Sequence, residues 1–148
     1  EIKGIKNDIM VVDDYAHHPT EVSATLQAAK NGWDRRIVAV FQPHLFSRTK
    51  DFYKEFAAAF MDSDILIITD IYPARELPID GVNGKLIYNS AKSIGHKNVH
   101  YVPNIEDIKE YLDGLVKSND MIITIGAGTI WRYGQAYFDH LNNLRTKI

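Results

Sequence analysis

Short apolar runs alternate with amphipathic stretches along this 148-residue chain. The runs are unbroken and rich in β-branched residues, which is typical of strands that helices cover on both faces of a parallel sheet. Five such runs predict strands, at Ile9–Asp13, Arg36–Phe41, Ile65–Thr69, Asn98–Val102 and Met121–Ile125. A further strand at Ile2–Lys6 is expected to pair with the first run as a hairpin through Asn7 and Asp8.

Helical patterns fill the intervals between these runs. They begin near Pro19, near Ser47 and at Ile105, and they cover about Gly81–Ala91 and most of Ile130–Leu144. The pattern from Ile105 is the cleanest, because its apolar residues recur on one face and Asn104 precedes them as an N-cap. The helix near Ser47 carries evenly spaced Phe residues from Phe52 to Phe60, which predicts a buried aromatic stripe.

This alternating order predicts an α/β fold. We expect a Rossmann-like, doubly wound, mostly parallel sheet of about five or six strands with helices on both faces. Ligands of such sheets bind in the crevice beyond the carboxyl ends of the strands. The chain contains no internal repeat, low-complexity tract or linker-like stretch, so residues 1–148 are interpreted as one domain.

Composition narrows the classes of function. Lys and Arg number 17 against 19 Asp and Glu, a formal net charge of −2 that argues against a nucleic-acid partner. The absence of Cys excludes disulfides, cysteine-ligated zinc and thiol catalysis. No apolar run approaches the roughly 20 residues that span a bilayer, so we expect no membrane insertion and a cytoplasmic location. The chain opens without Met or a signal-peptide pattern, and we expect it to be part of a longer protein.

The densest polar cluster, Asp13–Thr20, follows the first parallel strand. Its carboxylates can accept hydrogen bonds from ribose hydroxyls or hold Mg²⁺, and its imidazoles can donate to a carboxylate or a phosphate. A ligand site is the favoured interpretation for Asp14 and His17. A local structural role stays open, in which Asp14 satisfies loop amides and His18 caps the following helix.

The second strand also ends in a polar turn, at Gln42–Lys50, where a helix starts. Cations in the first turn oppose the helix dipole unless an anion or an acidic partner compensates them. A planar carboxylate matched to the Arg48 guanidinium would explain that residue, whereas Arg48 and Lys50 as a solvated pair is the alternative. Zinc on His17, His18 and His44 is a weaker interpretation, because a third clear ligand is lacking. We assign no metal ligand.

The turn after the last strand carries Gly126 and Gly128, but Trp131 occupies the third glycine position of a dinucleotide fingerprint. No phosphate-binding loop of the G-x-x-x-x-G-K-[ST] type occurs anywhere in the chain. Any ATP chemistry must therefore use a phosphate loop outside these residues.

Three strings resemble motifs of the C-terminal domain of the Mur ligases, in the family's order. They are D-D-Y-A-H-H-P-T-E at residues 13–21, F-Q-P-H with S-R-T at residues 41–49, and Y-P-A-R-E at residues 72–76. The resemblance covers essentially the whole chain. It implies that residues 1–148 are the C-terminal domain of a ligase whose N-terminal UDP-sugar domain and central ATPase domain are not included.

Within the family, the chain is most similar to ligases of peptidoglycan synthesis that join L-alanine to UDP-N-acetylmuramate through an acyl phosphate. The resemblance implies ATP and Mg²⁺ bound mainly by the central domain, with Asp14 on the ATP ribose and Tyr15 beside it. It implies substrate contacts from His17 and Arg48 on L-alanine, with His44 and Ser47 as neighbours. No catalytic residue is assigned to this domain, and the fragment alone is expected to be inactive.

Two positions depart from the family pattern. Leu45 occupies a slot where some relatives carry a polar or basic residue, and Thr129 replaces an acid, so we assign Thr129 no catalytic role. Muropeptide-recycling ligases, which attach a tripeptide to the same sugar acid, resemble these motifs too. A receiver-like phosphoacceptor domain is a different interpretation, built on acids Asp13, Asp14 and Asp70 with Thr124, but it lacks the expected Lys after the last strand.

Overall fold

The structure is a computed structural model that describes residues 1–146, with side chains through residue 143. Its strands are β1 Ile2–Lys6, β2 Ile9–Asp14, β3 Arg36–Phe41, β4 Ile65–Ile68, β5 Val99–Tyr101 and β6 Asp120–Ile125. Its helices are α1 Pro19–Gly32, α2 Phe46–Ala59, α3 Lys85–Ser93, α4 Ile108–Asp113 and α5 Ile130–Thr146. All the predicted strands are confirmed, including β1 and its hairpin, whose turn residues Asn7 and Asp8 have φ of 52° and 60°.

The six strands form one sheet in the order β1-β2-β6-β3-β4-β5. Only β1 is antiparallel to its neighbour. The last strand, β6, lies between β2 and β3, so the turns that follow these three strands meet at one place. At the opposite end of β6, buried Asp120 accepts two hydrogen bonds from Arg36, at 2.8 and 2.7 Å, which fixes β6 beside β3.

Side chains on the buried strands alternate between the two faces of the sheet, as the two-residue period of a strand requires. In β3, Ala39 and Phe41 pack in the core under α1, α2 and α3, while Val38 and Val40 pack under α4 and α5. This places helices on both faces and confirms the predicted doubly wound α/β fold. No helix among the described residues is long and apolar enough to cross a membrane.

The predicted aromatic stripe of α2 is confirmed in the core. Phe56 and Phe60 are 1% and 0% exposed, and their rings lie 5.0 and 4.8 Å from that of Phe41, measured between centroids. Phe52 is only partly buried and contacts the ring of His18 instead. The stripe therefore attaches α2 to β3, the strand whose end carries the second polar turn.

Two helix starts differ from the prediction. The helix expected from Gly81 begins at Lys85, because Gly81 has a φ of 77° and the Asn83 side chain accepts a hydrogen bond from the Lys85 amide, which forms a turn before the helix. The helix expected at Ile105 opens with a 3₁₀ turn, Ile105–Asp107, and α4 follows it. Asn104 caps this turn as predicted, by accepting from the Glu106 amide.

His96 is a buried imidazole held by hydrogen bonds at both ring nitrogens. Its Nδ1 accepts from the Asn98 amide at 3.2 Å, and its Nε2 lies 3.1 Å from the hydroxyl of Ser63, which itself donates to the Phe60 carbonyl. Burial lowers the pKa of His96 below its ordinary value near 6.5.

We expect the free energy of unfolding to fall as the pH drops from about 7.5 to about 5.5. Below pH 6.5 the unfolded chain binds a proton at His96 before the folded chain does, so acid favours unfolding. Urea denaturation across this range measures the slope. His96→Gln removes one titrating group and should reduce the slope, while His44 and His100, whose pKa values burial also lowers, contribute equally in both proteins. Equal slopes for the two proteins would contradict this assignment.

Candidate functional site

The candidate site lies at the carboxyl ends of β2, β6, β3 and β4, where the polar turns of the sequence converge. The turns are tied together by backbone hydrogen bonds: Gly126 N to Asp14 O at 3.1 Å, Gln42 N to Ile125 O at 3.1 Å and Tyr72 N to Pro43 O at 2.8 Å. The structure thus brings together motifs that are separated by up to about a hundred residues along the chain.

Asp14 is the last residue of β2 and is held by two neighbours. Its Oδ1 accepts from the Ala16 amide at 2.8 Å, and its Oδ2 accepts from the Thr25 hydroxyl at 2.9 Å. The expected loop-amide contact is therefore present. Each carboxylate oxygen accepts more than one hydrogen bond, so these contacts leave capacity for ligand hydroxyls. Tyr15, the next residue, is 68% exposed.

His18 has the structural role that the sequence left open. Its ring accepts from the Thr20 amide at 3.4 Å, and the Glu21 carboxylate accepts from the amides of His17 and His18. This capping box closes the N-terminus of α1. The backbone amide of His17 lowers the pKa of Glu21, because it stabilises the charged carboxylate.

His17 and His44 approach each other from different turns, with ring centroids 6.2 Å apart. The His44 ring also stacks on that of Tyr72, with centroids 5.6 Å apart. Burial lowers the pKa of His44, and the positive charge of Arg48 lowers it further. His44 is therefore neutral near pH 7. Its Nδ1 is buried and has no hydrogen-bond partner among the described residues.

Arg48 lies in the first turn of α2, close enough to His44 for their charges to interact. Its Nη1 is buried, and the described part of the chain supplies no hydrogen-bond partner for it. Lys50 is exposed, so the solvated-pair interpretation fits Lys50 and not Arg48. A buried guanidinium nitrogen without an acceptor is uncommon and requires an explanation, for which an anionic ligand is the simplest.

Ser47 faces Glu76, a residue to which the sequence analysis gave no role. The Ser47 hydroxyl donates to one Glu76 oxygen, and the Ser47 amide donates to the other at 3.1 Å. These two bonds lower the pKa of Glu76. Because the Ser47 hydroxyl donates its proton to Glu76, its oxygen can only accept a hydrogen bond from a ligand. At the start of α2, Leu45 makes no capping hydrogen bond and Arg48 follows, so the helix lacks a local cap, but nothing nearby in the sequence identifies Glu76 as the partner.

The Gln42 side chain holds the glycine-rich turn after β6 by hydrogen bonds to its last residues. Its side-chain oxygen accepts from the amides of Thr129 and Ile130 at 2.8 and 3.0 Å, and its amide donates to the Thr129 hydroxyl at 3.1 Å. A Cβ on Gly128 would lie 2.6 Å from the Tyr72 ring, so glycine is required there for packing. The first amides of α5 are thus occupied, and this turn is not a phosphate cradle.

The acids of the receiver-like interpretation do not converge. Asp13 accepts from the Thr124 hydroxyl at 2.7 Å, while Asp70 accepts from the Tyr101 hydroxyl at 3.2 Å and the Gly84 amide at 3.3 Å. Their strands, β2 and β4, are separated by β6 and β3. Within the described residues, no three His, Asp or Glu side chains are grouped to hold a metal ion.

Comparison with known proteins gives the family. A family model described as the Mur ligase, glutamate ligase domain, matches residues 1–128. The chain belongs to the Mur ligase family. The UDP-N-acetylmuramate–L-alanine ligase of Geotalea uraniireducens is 52% identical to this Mur ligase domain over 141 residues, which are 95% of the chain and 31% of that protein.

Solved structures agree with this assignment. The UDP-N-acetylmuramate–alanine ligase MurC of Thermotoga maritima has a TM-score of 0.79 and 29% identity, and the match covers 97% of this chain and 29% of that one. A murein peptide ligase of Psychrobacter arcticus has a TM-score of 0.78 at 24% identity, again over 97% and 29%, which shows a shared fold alone. This Mur ligase domain therefore spans about a third of the length of the relatives it matches.

Gln42→Ala should destabilise this Mur ligase domain by about 2 kcal/mol, because it leaves two buried amides at the start of α5 without an acceptor. Urea denaturation measures the loss. Gln27→Ala, on the exposed face of α1, is the matched control and should change the free energy of unfolding by less than about 0.5 kcal/mol. Equal effects of the two substitutions would refute the capping role of Gln42.

Proposed function

We propose that residues 1–148 are the C-terminal domain of an ATP-dependent ligase of peptidoglycan synthesis that joins L-alanine to UDP-N-acetylmuramate. The names of relatives about half identical to the chain support these substrates. The N-terminal UDP-sugar domain and the central ATPase domain belong to the rest of the protein. The cytoplasmic location expected from the composition is part of the same proposal.

The observation that carries the proposal is the unpartnered pair formed by Arg48 Nη1 and His44 Nδ1. A carboxylate between them would accept from the guanidinium and from the imidazole, provided that His44 carries its proton on Nδ1. L-Alanine supplies such a carboxylate. Its amino group would then project toward Ser47 or His17, each of which can accept a hydrogen bond.

Asp14 and Tyr15 are proposed to contact the ATP ribose. Each Asp14 oxygen accepts one hydrogen bond within the chain and can accept another, and Tyr15 beside it is exposed. The phosphates and Mg²⁺ do not fit this domain: the helix N-termini near the site are already capped, and no metal-binding group occurs among the described residues. We therefore assign both to the central domain.

The reaction follows from these placements. The amine of L-alanine attacks the carbonyl carbon of the sugar-acid phosphate, the phosphate leaves, and the nitrogen loses a proton. This Mur ligase domain would bind and orient the amino acid. The binding energy would then offset part of the entropic cost of bringing the amine and the acyl phosphate together. Closure of the domain onto the rest of the protein would exclude water that otherwise hydrolyses the acyl phosphate.

Arg48→Ala in the full-length ligase should lower kcat/KM for L-alanine by about 2–4 kcal/mol, because the substrate carboxylate loses its charged partner. Phosphate release at varied L-alanine measures this. The KM for ATP should stay within about twofold, because the proposal gives Arg48 no contact with the nucleotide.

Lys50→Ala is the matched control, since Lys50 is an exposed cation in the same helical turn. It should leave all the kinetic constants unchanged. An unchanged L-alanine response in Arg48→Ala, or an equal defect in Lys50→Ala, would refute the carboxylate role of Arg48.

A further inference from the structure

The helix that carries Arg48 begins without a cap of its own. Leu45 occupies the N-cap position, and its apolar side chain makes no hydrogen bond to the first turn. Its φ of 73° lies in a region that L-residues rarely adopt, and holding a residue there requires support from its surroundings. The backbone conformation of Leu45 and the positive charge of Arg48 in the first turn therefore both disfavour the start of α2.

The segment Tyr72–Glu76 supplies that support from a distance of about thirty residues along the chain. Tyr72 pairs with the turn after β3, since its amide donates to Pro43 O at 2.8 Å and its carbonyl accepts from the Leu45 amide at 2.9 Å. The ring of Tyr72 stacks on His44. At the other end of the segment, Ala74 has a φ of 53° and the Glu76 amide donates to Pro73 O, which turns Glu76 toward α2.

Glu76 then acts where the missing cap would. One carboxylate oxygen accepts from the Ser47 amide and the other accepts from the Ser47 hydroxyl. A carboxylate at a helix N-terminus also offsets the positive end of the dipole. Glu76 forms no ion pair with Arg48 among the described contacts, although the two charges are close enough to interact.

We propose that Glu76 is a positioning residue for Arg48: it caps α2 from a separate turn and leaves the guanidinium free for the carboxylate of the amino-acid substrate. The inference rests on the proposed function, because it takes L-alanine as that substrate. The proposal assigns Glu76 no contact with the reacting atoms, and its two oxygens accept from the Ser47 amide and the Ser47 hydroxyl. Its contribution is the orientation of Arg48 and a negative charge that balances the local cations.

The test compares Glu76→Ala, Glu76→Gln and Glu110→Ala in the full-length ligase, by phosphate release at varied L-alanine, ATP and UDP-N-acetylmuramate. Glu76→Ala should raise the KM for L-alanine about tenfold or more, the effect of losing one hydrogen bond to a charged group. The KM for ATP and for the sugar acid should stay within about twofold. Glu110 is an exposed glutamate on α4, and its substitution should change nothing.

Glu76→Gln separates capping from charge. The amide oxygen of Gln still accepts from the Ser47 amide, so this variant should keep the KM for L-alanine within about threefold of the wild type if capping dominates. A purely structural role predicts a different pattern, in which every variant of Glu76 lowers kcat in proportion to the folded fraction and leaves the KM for L-alanine unchanged. That pattern would overturn the inference.

The same kinetic measurements distinguish a failure of this inference from a failure of the proposed function. If the wild-type ligase shows no phosphate release that depends on L-alanine, the proposed function fails. If the wild type responds to L-alanine and Glu76→Ala keeps the wild-type KM for L-alanine, only the positioning role of Glu76 fails.

Discussion

At three of the helices that leave the carboxyl edge of the sheet, side chains of the chain itself accept hydrogen bonds from backbone amides at the helix start. His18 and Glu21 close α1, Glu76 closes α2, and Gln42 closes α5. Free helix N-termini are the usual anion sites of doubly wound sheets, so their closure removes that mode of binding here. Among the described residues, Arg48 and His44 each have a buried side-chain nitrogen without a hydrogen-bond partner, and we propose that this pair binds a carboxylate rather than a triphosphate.

The same contacts explain why the site is held in place before any ligand arrives. Gln42 joins the turn after β3 to the turn after β6, and Tyr72 joins it to the turn after β4. Because β6 lies between β2 and β3, these cross-links are short. A site supported by hydrogen bonds on several rigid elements loses little conformational entropy on binding, which favours affinity for a small ligand.

The sequence predicts the strands and the residues at the strand ends, but it does not predict the long-range hydrogen bonds that hold the turns together. Buried strands and the aromatic stripe of α2 follow from local periodicity, and the strand ends locate His17, His44 and Arg48 at one edge. The roles of Gln42 and Glu76 were not predicted, because their partners lie 87 and 29 residues away and no local pattern encodes those contacts. The predicted start of α3 was wrong, because a turn at Asn83 replaces the expected first helical turn.

The carboxylate claim has a direct measurement in the full-length ligase: phosphate release with ATP, Mg²⁺ and UDP-N-acetylmuramate, driven by L-alanine, by L-alaninamide or by the L-Ala-D-Glu-diamino-acid tripeptide. Only L-alanine carries a free carboxylate next to the attacking amine, so L-alanine alone should drive release at low concentration. Equal release with L-alaninamide would contradict recognition by Arg48 and His44. Release with the tripeptide alone would place the protein among the recycling ligases.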